Sequence, residues 1–315
     1  MTERKLDFII AGAARTGTTA SMNYLSAIDT VHCGQELFRY WDDHSILMPP
    51  GCFRDICKPG DAVPHGTTQL AIDRSLRELD EKAGRVCFFG NKTPLYSFRL
   101  EGLQREIFPG KCIMTWRDSE GTAMSCIRRA LDQNDRFGAG RRGISAMADT
   151  LASAFALNRM ESHDVMIVPN RAVVANWESA VSMTASFFMG IEPVLFDHKR
   201  IGVIEERRIK TTLLKERRSR TSIASTADLT AIDLIDRIGL DKILNQDTPF
   251  LLSEVRGDLR KALSSAAKDP VMELVKLAED EGDPLVIREI LKWRDHRMKD
   301  LNSLEQLPRR RNKMR

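Results

Sequence analysis

The stretch Gly12-Ala13-Ala14-Arg15-Thr16-Gly17-Thr18-Thr19 constrains this chain more than any other. It follows the apolar run Phe8 to Ala11, which reads as a strand. It precedes Thr18 to Ala27, which reads as a helix with Met22 and Leu25 on one face. Small residues let a backbone curl so that successive N–H groups point at one anion, and a helix N-terminus adds partial positive charge. A strand, a tight loop and a helix therefore predict a phosphate-binding βα unit. The spacing from Gly12 to Gly17 equals that of the GxxxxGK[ST] nucleotide loop, but Thr18 stands at the lysine position and the basic residue is Arg15. A kinase or ATPase uses the loop lysine to reach the β- and γ-phosphates of a magnesium nucleotide. An arginine ahead of the second glycine suits a phosphosulfate donor better than a triphosphate.

The rest of the chain extends that unit. Strands are expected at Val31 to Cys33, Val86 to Phe89, Lys111 to Trp116 and Val165 to Val168. Helices are expected at 76–83, 100–107, 119–132, 146–160 and 177–189, with Asp118 or Ser119 capping the third. Alternating strands and helices predict an α/β fold, a parallel sheet flanked by helices and carrying a P-loop-like phosphate loop. The stretch Met48 to Gly66 is rich in Pro, Gly and Cys and reads as a loop or lid. Glu205 to Arg220 holds seven basic and three acidic residues and breaks the rhythm. Beyond it the pattern is purely helical, so residues 1–200 are expected to form the donor-binding domain and 201–308 a helical C-terminal region. Residues 309–315 form a basic tail.

Charge and cysteines narrow the class. The tail carries five of the basic residues, so the net charge of +4 leaves the preceding 308 residues near −1. A nucleic-acid binder spreads basic charge over a folded face, so none is expected as partner. The six cysteines and six histidines show no metal-ligand spacing, and no zinc site is expected. No run of 18 apolar residues occurs, so no transmembrane segment is expected. Phe8-Ile9-Ile10 is too brief for the apolar core of a signal peptide. Cys87 and Cys112 lie in apolar runs, where a free thiol packs as a small hydrophobe, and a reduced cytoplasmic setting is expected.

FIIAGAARTGTTASMNYL resembles the 5′-phosphosulfate loop of sulfotransferases that use 3′-phosphoadenosine 5′-phosphosulfate (PAPS), usually written (P)(K/R)(S/T)GTT. The resemblance implies that Ala14, Arg15, Thr16, Gly17, Thr18 and Thr19 hold the donor; Ala14 stands where proline is common. IMTWRDSEGTAMSCIRRAL is similar to the family's 3′-phosphate segment, with Arg117 and Ser125 eight residues apart across a strand–helix junction. CFFGNKTPLYSFRLEGLQREIFPGKCIMTWRD resembles the bacterial and Golgi-type pattern with its KTP turn. NWESAVSMTASFFMGIEP is similar to the family's closing helix, though Pro169-Asn170-Arg171 replaces the usual acidic tripeptide. The likeness covers about residues 6–195, and the third 3′-phosphate element has no clear match.

The implied activity is sulfuryl transfer from PAPS to an acceptor hydroxyl, on a carbohydrate, a glycolipid or another small molecule. PAP is the product and no metal is required. Arg15 is the cation at the leaving phosphate, and Lys92 is a second cation or a structural residue. Within HCGQELF, similar to the family segment that carries the general base, Glu36 is that base and His32 is its rival, because cytosolic relatives use histidine. Asp42, Asp43 and His44 would shape the acceptor pocket. Two other readings fit the loop: a kinase or phosphotransferase, and a non-catalytic nucleotide-binding module.

Overall fold

In a computed structural model, the chain is described over residues 6–36, 69–82, 84–94, 110–132, 140, 142–160, 164–190, 195–216, 223–265, 269–288 and 290–291. Asp42, Asp43, His44, the 48–66 stretch, the helix expected over 100–107 and the basic tail lie outside these residues.

The strands are β1 (Phe8–Ala11), β2 (Val31–Gln35), β3 (Phe88–Lys92), β4 (Lys111–Trp116), β5 (Val165–Pro169) and β6 (Phe250–Leu251). They form a six-stranded sheet in the order β2-β3-β1-β4-β5-β6. The first five are parallel, and β6 is antiparallel to β5. Among the helices, α1 (Thr18–Leu25), α2 (Gln69–Glu81), α3 (Ser119–Ala130) and α4 (Gly143–Arg159) precede β5. Next come α5 (Asn170–Ala175), α6 (Trp177–Met189), α7 (His198–Glu216), α8 (Thr226–Ile238) and α9 (Leu240–Leu244). After β6 follow α10 (Leu252–Ser265) and α11 (Pro270–Glu281).

Alternation along β1 explains its unbroken apolar run. Ile9 and Ala11 join one buried cluster with residues of α2, α3, α4, α8, α10 and α11, while Phe8 and Ile10 join another with α1 and α6. A parallel sheet covered on both faces needs apolar side chains in both directions. The C-terminal helices close the first of these clusters: Leu234, Leu259 and Leu274 are buried in it with Met114 and Ile167 of the sheet. Asp228 of α8 accepts the Ile144 amide of α4 at 3.0 Å, capping that helix from across the fold. Helix α7 runs across residue 200, where the sequence reading places its boundary.

Several expected elements shift. β3 begins two residues and ends three residues later than Val86 to Phe89, and its last two residues, Asn91 and Lys92, are buried polar groups that an apolar run cannot reveal. Cys87 therefore precedes the strand and is exposed, not packed in the core. Cys112 is buried, and burial pushes its thiol up to about 12. Helix α2 starts at Gln69 and buries Ile72, Ser75 and Leu79 along one face. The region beyond residue 200 is not purely helical, since β6 returns to the sheet edge.

A buried charge cluster fixes the turn between α1 and β2. Lys82 Nζ donates to the carbonyls of Ser26, Ile28 and Val31 at 2.7, 2.8 and 2.5 Å. Its ammonium is 3.1 Å from Glu78, with Arg200 and His32 Nδ1 each 3.4 Å from the same oxygen. Burial alone would raise the Glu78 carboxyl. The His32 contact, Lys82 and Arg200 outweigh it and hold the carboxyl down at about 2, against an ordinary 4.5. Such a group stabilises the fold above about 4.5, and that stability is lost as pH falls through about 2. The difference is on the order of 3 kcal/mol. Glu78→Gln should therefore unfold at lower urea than wild type near neutral pH, and the gap should close as pH falls to about 2. A gap that does not change with pH would contradict this account.

Candidate active site

The strand order changes direction between β1 and β4. Their C-terminal ends open the crevice where ligands bind in such sheets. The loop leaving β1 lies flush against β4 at this point. A Cβ on Gly12, whose φ is +150°, would come within 2.3 Å of Thr115 Oγ1 and 2.7 Å of the Thr115 carbonyl. Thr16 turns inward beside it. Its hydroxyl donates to the Ala13 carbonyl at 2.8 Å and pairs with Thr115 Oγ1 at 2.8 Å, and its amide donates to Ala13 at 3.3 Å. Thr16 thus braces the loop, while the first-turn N–H groups of α1, at Thr18 and Thr19, are those that helix geometry leaves to an anion. No side chain caps this end of α1, because its N-cap residue is Gly17.

Arg15 joins the loop to the second predicted anion element. Its Nε donates to Ser125 Oγ of α3 at 3.1 Å. Arg117 leaves the end of β4 and folds over the first turn of α3, where a Cβ on Gly121 would lie 2.6 Å from its Nε. Asp118 caps α3 by accepting the Gly121 amide at 2.5 Å and lies 3.8 Å from Arg117, too long for a strong pair. A residue the sequence reading missed anchors this junction. Asp241 of α9 accepts the Trp116 indole N–H at 3.1 Å and the Ser119 amide at 2.6 Å. Burial raises its carboxyl, against those two bonds. No local signal marks Asp241, because it reaches the site from more than a hundred residues away.

The third part lies at the ends of β3 and β2. Lys92 closes β3 rather than standing in a turn beyond it, and pairs in register with Ile10 and Gln35. Its ammonium, 2% exposed, is 2.8 Å from Oε1 of Glu36, which is 27% exposed. The Glu36 amide also donates to the Lys92 carbonyl at 2.8 Å. His32 is fully buried near the start of β2, beside Glu78. That is four residues from Glu36, roughly 13 Å along a strand. The structure thus brings Glu36 and Lys92 together and sets His32 apart from them. Among the described residues, the non-glycine residues with positive φ are Arg15 at 74° and Glu36 at 56°. Such backbone costs about 1–3 kcal/mol each and gathers where a site demands it.

No protein-family model matches the chain, and no curated protein matches it. Solved structures that are similar include the sulfotransferase domain of a Synechococcus olefin synthase, at 14% identity and a TM-score of 0.42, over 61% of this chain and 76% of that one. A sulfotransferase from Alicyclobacillus acidocaldarius is similar at 14% identity and a TM-score of 0.40, over 77% of this chain and 97% of that one. One from Mycobacterium avium is similar at 16% identity and a TM-score of 0.40, over 77% of both chains.

The brace role of Thr16 has a direct test. Thr16→Val removes the hydroxyl and one hydrogen bond each from the buried Ala13 carbonyl, which keeps the long Thr16 amide contact, and the Thr115 hydroxyl, which keeps the Ala11 carbonyl. It should cost about 1–3 kcal/mol in denaturant unfolding. Thr16→Ser keeps both bonds and should stay close to wild type. Equal losses in the two variants would assign the residue to methyl packing instead.

Proposed function

We propose that the chain transfers a sulfuryl group from PAPS to an acceptor hydroxyl. The observation that carries this reading is the Arg15–Ser125 bond. It ties the phosphate loop to the Arg117 to Ser125 segment, two elements that a donor with both a 5′-phosphosulfate and a 3′-phosphate would engage at once. A third group, the Glu36 carboxylate, stands at the same sheet edge beside Lys92.

In this reading the loop N–H groups and Arg15 hold the 5′-phosphosulfate, and Arg117 and Ser125 hold the 3′-phosphate. Glu36 takes the proton of the acceptor hydroxyl as its oxygen attacks sulfur. The S–O bond to the 5′-phosphate breaks, and the bonding pair leaves with PAP. Negative charge grows on that phosphate oxygen, where Arg15 and the positive end of α1 stabilise it. Lys92 serves two ends: it fixes the Glu36 carboxylate at 2.8 Å, and it places a second positive charge beside the reacting group.

Two variants test the division of roles. Arg117→Ala should weaken PAP by about 10- to 100-fold, the worth of a charge-assisted contact. It should leave adenosine 5′-phosphosulfate, which has no 3′-phosphate, nearly untouched. Equal losses for both ligands would remove Arg117 from the 3′-phosphate site. Glu36→Gln keeps shape and loses basicity. Turnover of PAPS, followed with an acceptor or as slow hydrolysis, should fall about 10²- to 10⁴-fold. PAP affinity should hold. If Glu36→Gln keeps near-full turnover and His32→Asn loses it, the base is His32.

A further inference from the structure

Asn170 opens α5 directly after β5, and its side-chain amide sits against the phosphate loop. A Cβ on Gly17 would lie 2.8 Å from Asn170 Nδ2, with Cγ and Cβ of Asn170 further off at 3.7 and 3.8 Å. The amide nitrogen is thus the part of the side chain that faces the loop. Gly17 is the N-cap of α1, with φ +107°, so this nitrogen stands over the turn whose N–H groups receive an anion. Among the described residues, the Asn170 amide has no hydrogen-bond partner, and the residue is only half-buried. The neighbouring Arg171 is engaged elsewhere, with Asp247 and the Asn245 carbonyl.

We propose that Asn170 is a further donor-binding residue, whose Nδ2–H hydrogen-bonds an oxygen of the 5′-phosphate held by the loop. The chemistry of the position favours this. A neutral amide adds a hydrogen bond to a dianionic group. An aspartate of the same shape would repel the phosphate and compete with it for the positive end of α1. The absence of a Cβ at Gly17 lets the amide reach the loop, so the two residues act as one unit: glycine gives the space and asparagine fills it with a donor. The inference rests on the reading of this loop as the 5′-phosphate site, not on the identity of the transferred group.

The test is calorimetric titration of the full chain and two variants with PAP, ADP and adenosine 3′-monophosphate, with thermal melting alongside. Asn170→Ala should weaken the 5′-phosphate ligand that wild type binds by about 10-fold, the worth of a hydrogen bond to a charged group. Asn170→Asp should weaken it further. Neither should change the affinity for adenosine 3′-monophosphate, which lacks the 5′-phosphate. A merely structural role would lower all ligands together and shift the melting temperature, and would overturn the proposal. So would variants that bind as wild type does. If wild type prefers ADP to PAP, the sulfuryl-transfer reading fails, and the Asn170 proposal is judged on ADP. If wild type binds neither, both fail.

Discussion

The contact between Gly12 and Thr115 carries the architecture of the site. It presses the loop leaving β1 onto the end of β4, with no room for a single methyl group, and the Thr16–Thr115 hydroxyl pair closes over it. From that contact Arg15 is delivered to Ser125, and the start of α1 is aimed across the crevice. The loop after β1 and the helix after β4 are thereby joined at one end of the sheet. A loop free to lift by an ångström would separate the two halves.

Strain and charge are concentrated at the same edge. The left-handed backbone falls at Arg15, in the loop after β1, and at Glu36, just beyond β2. Each is over-determined by its surroundings. Arg15 lies between Gly12 and Gly17 of a braced loop, and Glu36 is held twice by Lys92, through its amide and its carboxylate. The supporting cations and anions lie deeper. Lys82, Glu78 and Arg200 fix the start of β2, and Asp241 fixes the start of α3. The ends of the strands are thus held while the side chains beyond them stay accessible.

Much of this was legible in the chain itself, for reasons that differ by element. β1, β4 and α6 match the sequence reading because their apolar patterns are bounded by Gly, Pro or a capping residue. The loop was legible because its residue types and spacing have few other uses. β3 was displaced because a strand ending at a site buries polar residues, here Asn91 and Lys92, which look like a turn on paper. The Glu205 to Arg220 stretch read as a break because charged residues dominate it, while Ile201 and Ile204, which anchor this helix on the core, lie just before it. Asn170 and Asp241 were invisible: each acts on a residue distant in sequence, and a lone Asn or Asp carries no pattern. The two-residue β6 is shorter than any periodicity can register.

The central claim is that the crevice recognises a 3′-phosphorylated adenosine donor rather than a magnesium nucleotide. It is tested most directly by calorimetric titration of the wild-type chain with PAP, ADP and ATP, each with and without magnesium. The account predicts that PAP binds at least 10-fold more tightly than ADP, because it alone carries the phosphate that Arg117 and Ser125 would hold. It also predicts that magnesium leaves the PAP affinity unchanged. Tighter binding of ATP that depends on magnesium would contradict it.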